Sequence, residues 1–184
     1  LDVQNMRIDI DNTEHYFPEK VSSFVPTIND INLITDLLND AKRPILLLGS
    51  GIRSSEAIPE LERLINNLEI PIVYAPSAAD IYGLDNALSI GSVGIMGCSR
   101  AGNFAIQNAD LVLVLGNRLN SMVVGEKCQF AREAKVVVVD IDEIEHSKGS
   151  ANINHLIISD IKLLLNFLFA KDLQKINNEW VNKC

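Results

Sequence analysis

Three short segments carry the residue types that could do chemistry in this 184-residue chain. The first is Gly49-Ser50-Gly51, directly after the apolar run Ile45 to Leu48. The second, Gly116-Asn117-Arg118, follows Leu111 to Leu115, and the third, Asp140-Ile141-Asp142, follows Lys135 to Val139. Glycines let a chain turn sharply and bring backbone N–H groups close to a ligand. A helix starting just beyond such a turn offers free N–H groups to an anion, often a phosphate. The chemistry suggested is therefore anion binding at a nucleotide site. The rival reading of Gly49 to Gly51 is a tight turn that only needs small residues. Arg118 reads as a phosphate clamp or a surface ion pair, and Asp140 and Asp142 as ribose ligands or helix caps.

The dinucleotide fingerprint G-x-G-x-x-G fails two tests. Its third glycine is Ser54, and the run Ile70 to Ala75 ends in Pro76-Ser77 where an acid for the adenosine ribose belongs. Glu143, Glu145 and His146 could suggest metal ligands but read as a solvated helix face. His15 and His155 have no partners at a recognisable spacing. No nucleophile elbow, Walker loop or zinc pattern occurs, and no general acid–base pair accompanies a nucleophile.

The elements that must position these segments follow from periodicity. Ile28, Ile31, Ile34, Leu37 and Leu38 predict a helix over 27–39 with Thr27 as its cap. Ile45 to Leu48 predicts a strand, and Ser54 or Ser55 a cap for the helix carrying Ala57, Leu61, Leu64, Ile65 and Leu68, with Pro59 near its start. Strands are expected at Ile70 to Ala75, around Leu88 to Ile90, at Leu111 to Leu115, at Lys135 to Val139 and at Leu156 to Ile158. A helix over 99–109 should turn Ala101, Phe104, Ala105 and Ala109 inward. Asp160 should cap a last helix carrying Ile161, Leu164, Leu165 and Leu168. Continuous apolar strands separated by helices predict an α/β fold, a doubly wound parallel sheet covered on both faces. In such folds ligands sit at the carboxyl ends of the strands, where the glycines, Arg118 and Asp140 fall.

Hydrophobic residues make up 47% of the chain, enough for one domain with a real core. A formal net charge of −8 argues against nucleic-acid or anionic-membrane partners, which attract basic patches. Cys98, Cys128 and Cys184 are odd in number and widely spaced, which predicts a reduced, cytoplasmic protein. No apolar run approaches the length of a membrane span. Leu1 is not an initiator methionine, and W-V-N-K-C does not read as a natural end, so the chain is read as a piece of a longer polypeptide.

An ordered series of motifs then carries a resemblance. It runs R-P-I-L-L-L-G-S-G-I-R-S-S-E-A, E-I-P-I-V-Y-A and A-L-S-I-G-S-V-G-I-M-G. It continues with N-F-A-I-Q-N-A-D-L-V-L-V-L-G-N-R-L-N, V-V-V-V-D-I-D-E and I-I-S-D-I-K-L-L-L. Together these make 27–170 resemble the central domain of thiamine-diphosphate-dependent enzymes of the acetolactate synthase type. The block from Asn103 to Asn120 is the most specific. Residues 1–26 resemble a linker leaving a pyrimidine-binding domain, and 171–184 a linker toward a diphosphate-binding domain.

The resemblance implies a six-stranded parallel sheet of Rossmann-like topology. It implies an enzyme in which thiamine diphosphate and Mg²⁺ lie between the flanking domains of partner subunits, in a homodimer or homotetramer. The parent would decarboxylate a 2-oxo acid and transfer the acyl unit, and this fragment would be inactive alone. In that family the central domain binds FAD, binds an adenine nucleotide, or serves only as scaffold. The implied cofactor positions here are Gly49, Ser50, Gly51, Gly94, Met96, Gly116, Asn117, Arg118, Asn120, Asp140, Ile141 and Asp160. Ser50 replaces a glycine and Met96 a histidine, while Asn120, Ser121 and Met122 stand where the flavin enzymes have two acids and a second arginine. A charge-assisted hydrogen bond contributes about 1.5–3 kcal/mol, so losing that arginine weakens affinity roughly tenfold to a hundredfold. The FAD or ADP site is read as eroded. The alternative function is a stand-alone FAD- or adenine-nucleotide-binding module without chemistry.

Overall fold

The computed structural model describes residues 24–96 and 98–184, with Met6, Arg7, Asp9, Asp11 and Phe17 before them. Most of the 1–26 linker, His15 and Gly97 lie outside the described residues.

A capping box opens the first helix, α1 (Ile28–Asp40): Thr27 Oγ1 accepts from Asp30 N–H, and the Asp30 carboxylate accepts from Thr27 N–H. The strands are β1 (Pro44–Leu48), β2 (Ile72–Tyr74), β3 (Ser89–Ser92), β4 (Leu111–Leu115), β5 (Lys135–Asp140) and β6 (His155–Ile158). They form one six-stranded sheet in the order β3-β2-β1-β4-β5-β6, and every pairing is parallel. Every residue of β1 and β4 is buried, as a sheet covered on both faces requires. The order reverses between β1 and β4, which opens a crevice at their carboxyl ends. This is the Rossmann-like, doubly wound arrangement expected.

Helices α2 (Gly51–Ser54), α3 (Ile58–Leu68), α4 (Arg100–Asn108), α5 (Ser121–Val124), α6 (Glu143–Ser147), α7 (Ile161–Phe169) and α8 (Asn178–Lys183) complete the chain. Ala57, Leu61, Leu64, Ile65 and Leu68 are buried on one side of α3, and Ile161, Leu164, Leu165 and Leu168 on one side of α7.

Several local expectations change. Neither Ser54 nor Ser55 caps a helix. The chain enters α2 directly at Gly51, breaks where Glu56 takes φ 53°, and starts α3 after Ala57. Ser55 Oγ donates back to Ile52 O at 3.1 Å instead. On α4 the inward residues are Gly102, Ala105 and Ile106, while Ala101 and Phe104 face out. The cause is a close approach: a Cβ on Gly102 would lie 2.6 Å from Ser92 O, so the helix seats its glycine against β3.

The segment 171–184, charged and amide-rich, lies against the domain rather than apart from it. Ile176 and Trp180 are buried, Ile176 N–H donates to Leu68 O at 2.7 Å, and Trp180 Nε1–H donates to Pro44 O at 2.9 Å. It forms a strap across the amino edge of the sheet.

Candidate functional site

At the carboxyl edge, the turns after β1 and β4 meet backbone to backbone. Gly49 N–H donates to Leu115 O at 2.9 Å and Gly51 N–H to Gly116 O at 3.0 Å. A Cβ on Gly49 would lie 2.1 Å from Gly116 O, and one on Gly51 2.7 Å from Gly116 Cα. Gly116 itself takes φ 59°, a left-handed conformation. The glycines are needed for the contact between the two turns.

Beside this contact lies a cleft of about 250 Å³. Of the expected positions, Gly49, Ser50, Gly116, Asn117, Arg118 and Asn120 line it. Ala75, Pro76 and Ser77 form a further wall that the residue patterns did not mark, and its signal was position alone, at the carboxyl end of β2. Met122 and Val123 close the α5 side.

Two of the polar side chains here, Asn117 and Asn120, are engaged within the protein, while those of Ser50, Ser77 and Arg118 have no bond among the described residues. Asn117 is buried; its Oδ1 accepts from Leu119 N–H at 2.9 Å and its Nδ2 donates toward Leu48 O at 3.5 Å. Asn120 Oδ1 caps α5 by accepting from the N–H groups of Met122 and Val123. Arg118 is exposed, and among the described residues no hydrogen bond or ion pair holds its guanidinium. Arg53 on α2 pairs with Asp80 beyond β2.

Gly94 and Met96 do not line the cleft. Gly94 takes φ 140°, and Asn103 on α4 holds it through Nδ2–H to Gly94 O at 2.9 Å and Oδ1 from Gly94 N–H at 3.1 Å. Ile95 N–H donates to Met122 O, which seats this loop on α5, and Met96 is exposed.

Asp140, Ile141 and Asp160 also lie off the cleft lining. Asp140 Oδ1 accepts from Ile141 N–H at 2.7 Å and Asp142 N–H at 3.2 Å. Asp142 caps α6 by accepting from Glu145 N–H, and Asp160 caps α7 by accepting from Leu163 N–H. Ile141 is exposed.

The structure corrects the solvated reading of the 143–146 cluster at His146. Its side chain is only 1% exposed, and Nε2 lies 3.3 Å from Asp140 Oδ2. Among the described residues this Nε2 is buried with no hydrogen-bond partner. A histidine six residues past the strand-end acid was the signal available. Glu145 turns instead to Lys148. Among the described residues no group of three or more His, Cys, Asp or Glu could hold a metal ion.

A larger cavity, about 570 Å³, lies at the opposite edge between the end of α1 and the strap. Parallel sheets carry their ligands at the carboxyl ends, so its size does not make it the first candidate.

The fold and the paired turns define a class: a doubly wound α/β domain with a crevice at its switch point, between the carboxyl ends of β1 and β4. The description "Thiamine pyrophosphate enzyme, central domain" matches residues 31–168, well over half of the chain. The chain belongs to that family. It is 32% identical to a probable acetolactate synthase large subunit of Methanococcus aeolicus, over 98% of this chain and 32% of that protein. It is 36% identical to the acetolactate synthase large subunit of Cyanidium caldarium, over 83% of this chain and 26% of that protein. A 2-hydroxyacyl-CoA lyase 1 of Dictyostelium discoideum is 34% identical over 70% of this chain and 21% of its own length. The chain thus spans about a third or less of the curated relatives it matches.

Proposed function

We propose that this chain is the structural centre of a thiamine-diphosphate-dependent enzyme that decarboxylates a 2-oxo acid and transfers the resulting acyl unit. The observation that carries the reading is the 32% identity to an acetolactate synthase large subunit across 98% of this chain, which is 32% of that relative. The stand-alone module is not favoured, because the relatives continue well beyond the matched part. Thiamine diphosphate would supply a carbanion that attacks the 2-oxo carbon and stabilises the acyl unit after CO₂ leaves. The described residues offer no metal cluster for the Mg²⁺ that would hold its diphosphate. In this reading other parts of the intact protein bind the cofactor.

In this reading the chain's own residues bear load. The sheet fixes the spacing of whatever flanks the domain, and the strap ties the amino edge of the sheet. Flanking domains of the same polypeptide are its immediate partners, and a homodimer or homotetramer is the expected assembly. Among the described residues no helix is long and apolar enough to cross a membrane. Three free cysteines, including exposed Cys128, suit a reducing cytoplasm.

The test is turnover of pyruvate, the simplest 2-oxo acid, by the intact protein with added thiamine diphosphate and Mg²⁺. CO₂ release that depends on both additions is expected. No release from pyruvate or from longer 2-oxo acids, with saturating cofactor, would sink the proposal.

A further inference from the structure

A dinucleotide at this crevice needs backbone donors for its phosphates, an acid for its ribose and room for its body. Each requirement can be compared with the atoms present. The glycine N–H groups that would face the phosphates are already used, Gly49 on Leu115 O and Gly51 on Gly116 O. Among the described residues the backbone N–H groups of Ser50, Asn117 and Arg118 are left without a bond, and Arg118 supplies the free positive charge of the lining. The strand-end acid is no better placed. Asp140 takes two backbone N–H groups on one oxygen, and the buried imidazole of His146 lies against the other. Its side chain is 12% exposed, which leaves little carboxylate surface for a ribose hydroxyl pair. The cleft holds about 250 Å³, whereas pockets for drug-sized ligands run from about 300 to 1,000 Å³. FAD is larger than most such ligands.

We infer that the carboxyl-edge crevice of this chain is a clasp that takes neither FAD nor ADP. The N–H groups of Gly49 and Gly51 join the end of β1 to the end of β4, and the Asp140 carboxylate closes the end of β5 on itself. The glycines have a structural reason of their own, the backbone contact between the two turns. This goes beyond the proposed function: a parent active with thiamine diphosphate and Mg²⁺ alone needs no nucleotide in this domain.

The experiment uses the intact protein. Flavin released on denaturation is read by visible absorbance, and Tm is followed as FAD or ADP is added to millimolar concentration. A ligand that binds the folded state raises Tm with concentration. The expected result is no released flavin and no rise in Tm. The same titration on Arg118→Ala locates any binding that does occur, and the exposed position of Arg118 keeps that variant folded. A saturable rise that Arg118→Ala leaves unchanged arises at another place and agrees with the clasp. Flavin near one per chain, or a rise that Arg118→Ala weakens tenfold or more, overturns the inference. Neither outcome depends on turnover, so its failure is distinguishable from failure of the proposed activity.

Discussion

Trp180 Nε1–H donates to Pro44 O at 2.9 Å, joining residues 136 apart. The indole thereby fastens the strap to the first residue of the central strand, with its ring buried in the core. Trp180→Phe keeps most of the packing and loses the bond, which should cost about 1 kcal/mol. Trp180→Ala loses both and should cost about 3–5 kcal/mol. Urea unfolding of the two variants measures the split, and equal stability of all three proteins would show that the strap does not brace the sheet.

Gly49 cannot carry a side chain, since a Cβ would stand 2.1 Å from Gly116 O. Forcing one in should destabilise the protein by about 3 kcal/mol, at the upper end of ordinary overpacking. Ser50→Ala next to it, at an exposed site, should change stability by less than about 0.5 kcal/mol. Thermal unfolding without any nucleotide is the measurement. Were Gly49 needed only for a ligand, Gly49→Ala would unfold like the parent.

Asn103 holds Gly94 by both ends of its amide. Asn103→Leu removes both bonds and should cost about 1–3 kcal/mol, with Gly94 N–H exchanging faster with solvent. Asn103→Asp keeps an acceptor for Gly94 N–H and should restore part of its protection. Hydrogen exchange at the 93–96 loop reads both effects; unchanged rates in the Leu variant would remove Asn103 from this role.

Burial pushes the Cys184 thiol from its ordinary 9.0 up to about 11. The unfolded chain releases that proton near the ordinary value and the folded chain only at higher pH. Between the two the folded state binds more protons, so this group's contribution to stability falls as pH rises through that window. The effect is modest because the group is half-buried. Alkylation follows the thiolate, so exposed Cys128 should react well before Cys184 at mildly alkaline pH. Mass spectrometry of peptides after brief iodoacetamide treatment gives the order, and faster labelling of Cys184 would contradict it.

Strands were legible in the sequence because runs such as Leu111 to Leu115 and Val136 to Val139 have no polar residue to place outward. Thr27 and Asp160 were legible as caps because each precedes an apolar helical stripe. Other features lacked such a signal. Gly102 reads as a small residue, and its contact with Ser92 depends on how closely α4 approaches β3. His146 sits beside two glutamates that suggest water, yet α6 turns the imidazole under the sheet edge. The strap is polar along most of its length, with burial resting on Ile176 and Trp180. At the candidate site, six of the twelve expected positions line the cleft because strand ends are readable. Whether an N–H faces a ligand or a neighbouring turn depends on spatial pairing, which no local pattern records.

The same bond from Trp180 to Pro44 bears on how the domain comes into being. Synthesis delivers β1 early, yet β4, its neighbour, follows dozens of residues later, and Trp180 comes after all six strands. Parallel neighbours must wait for one another, and such non-local pairings slow folding. Until the strap emerges, the amino edge of the central strand lacks its indole cover. The nascent domain therefore completes itself from its late end, and a pause in translation before residue 180 should hold it in a protease-sensitive form.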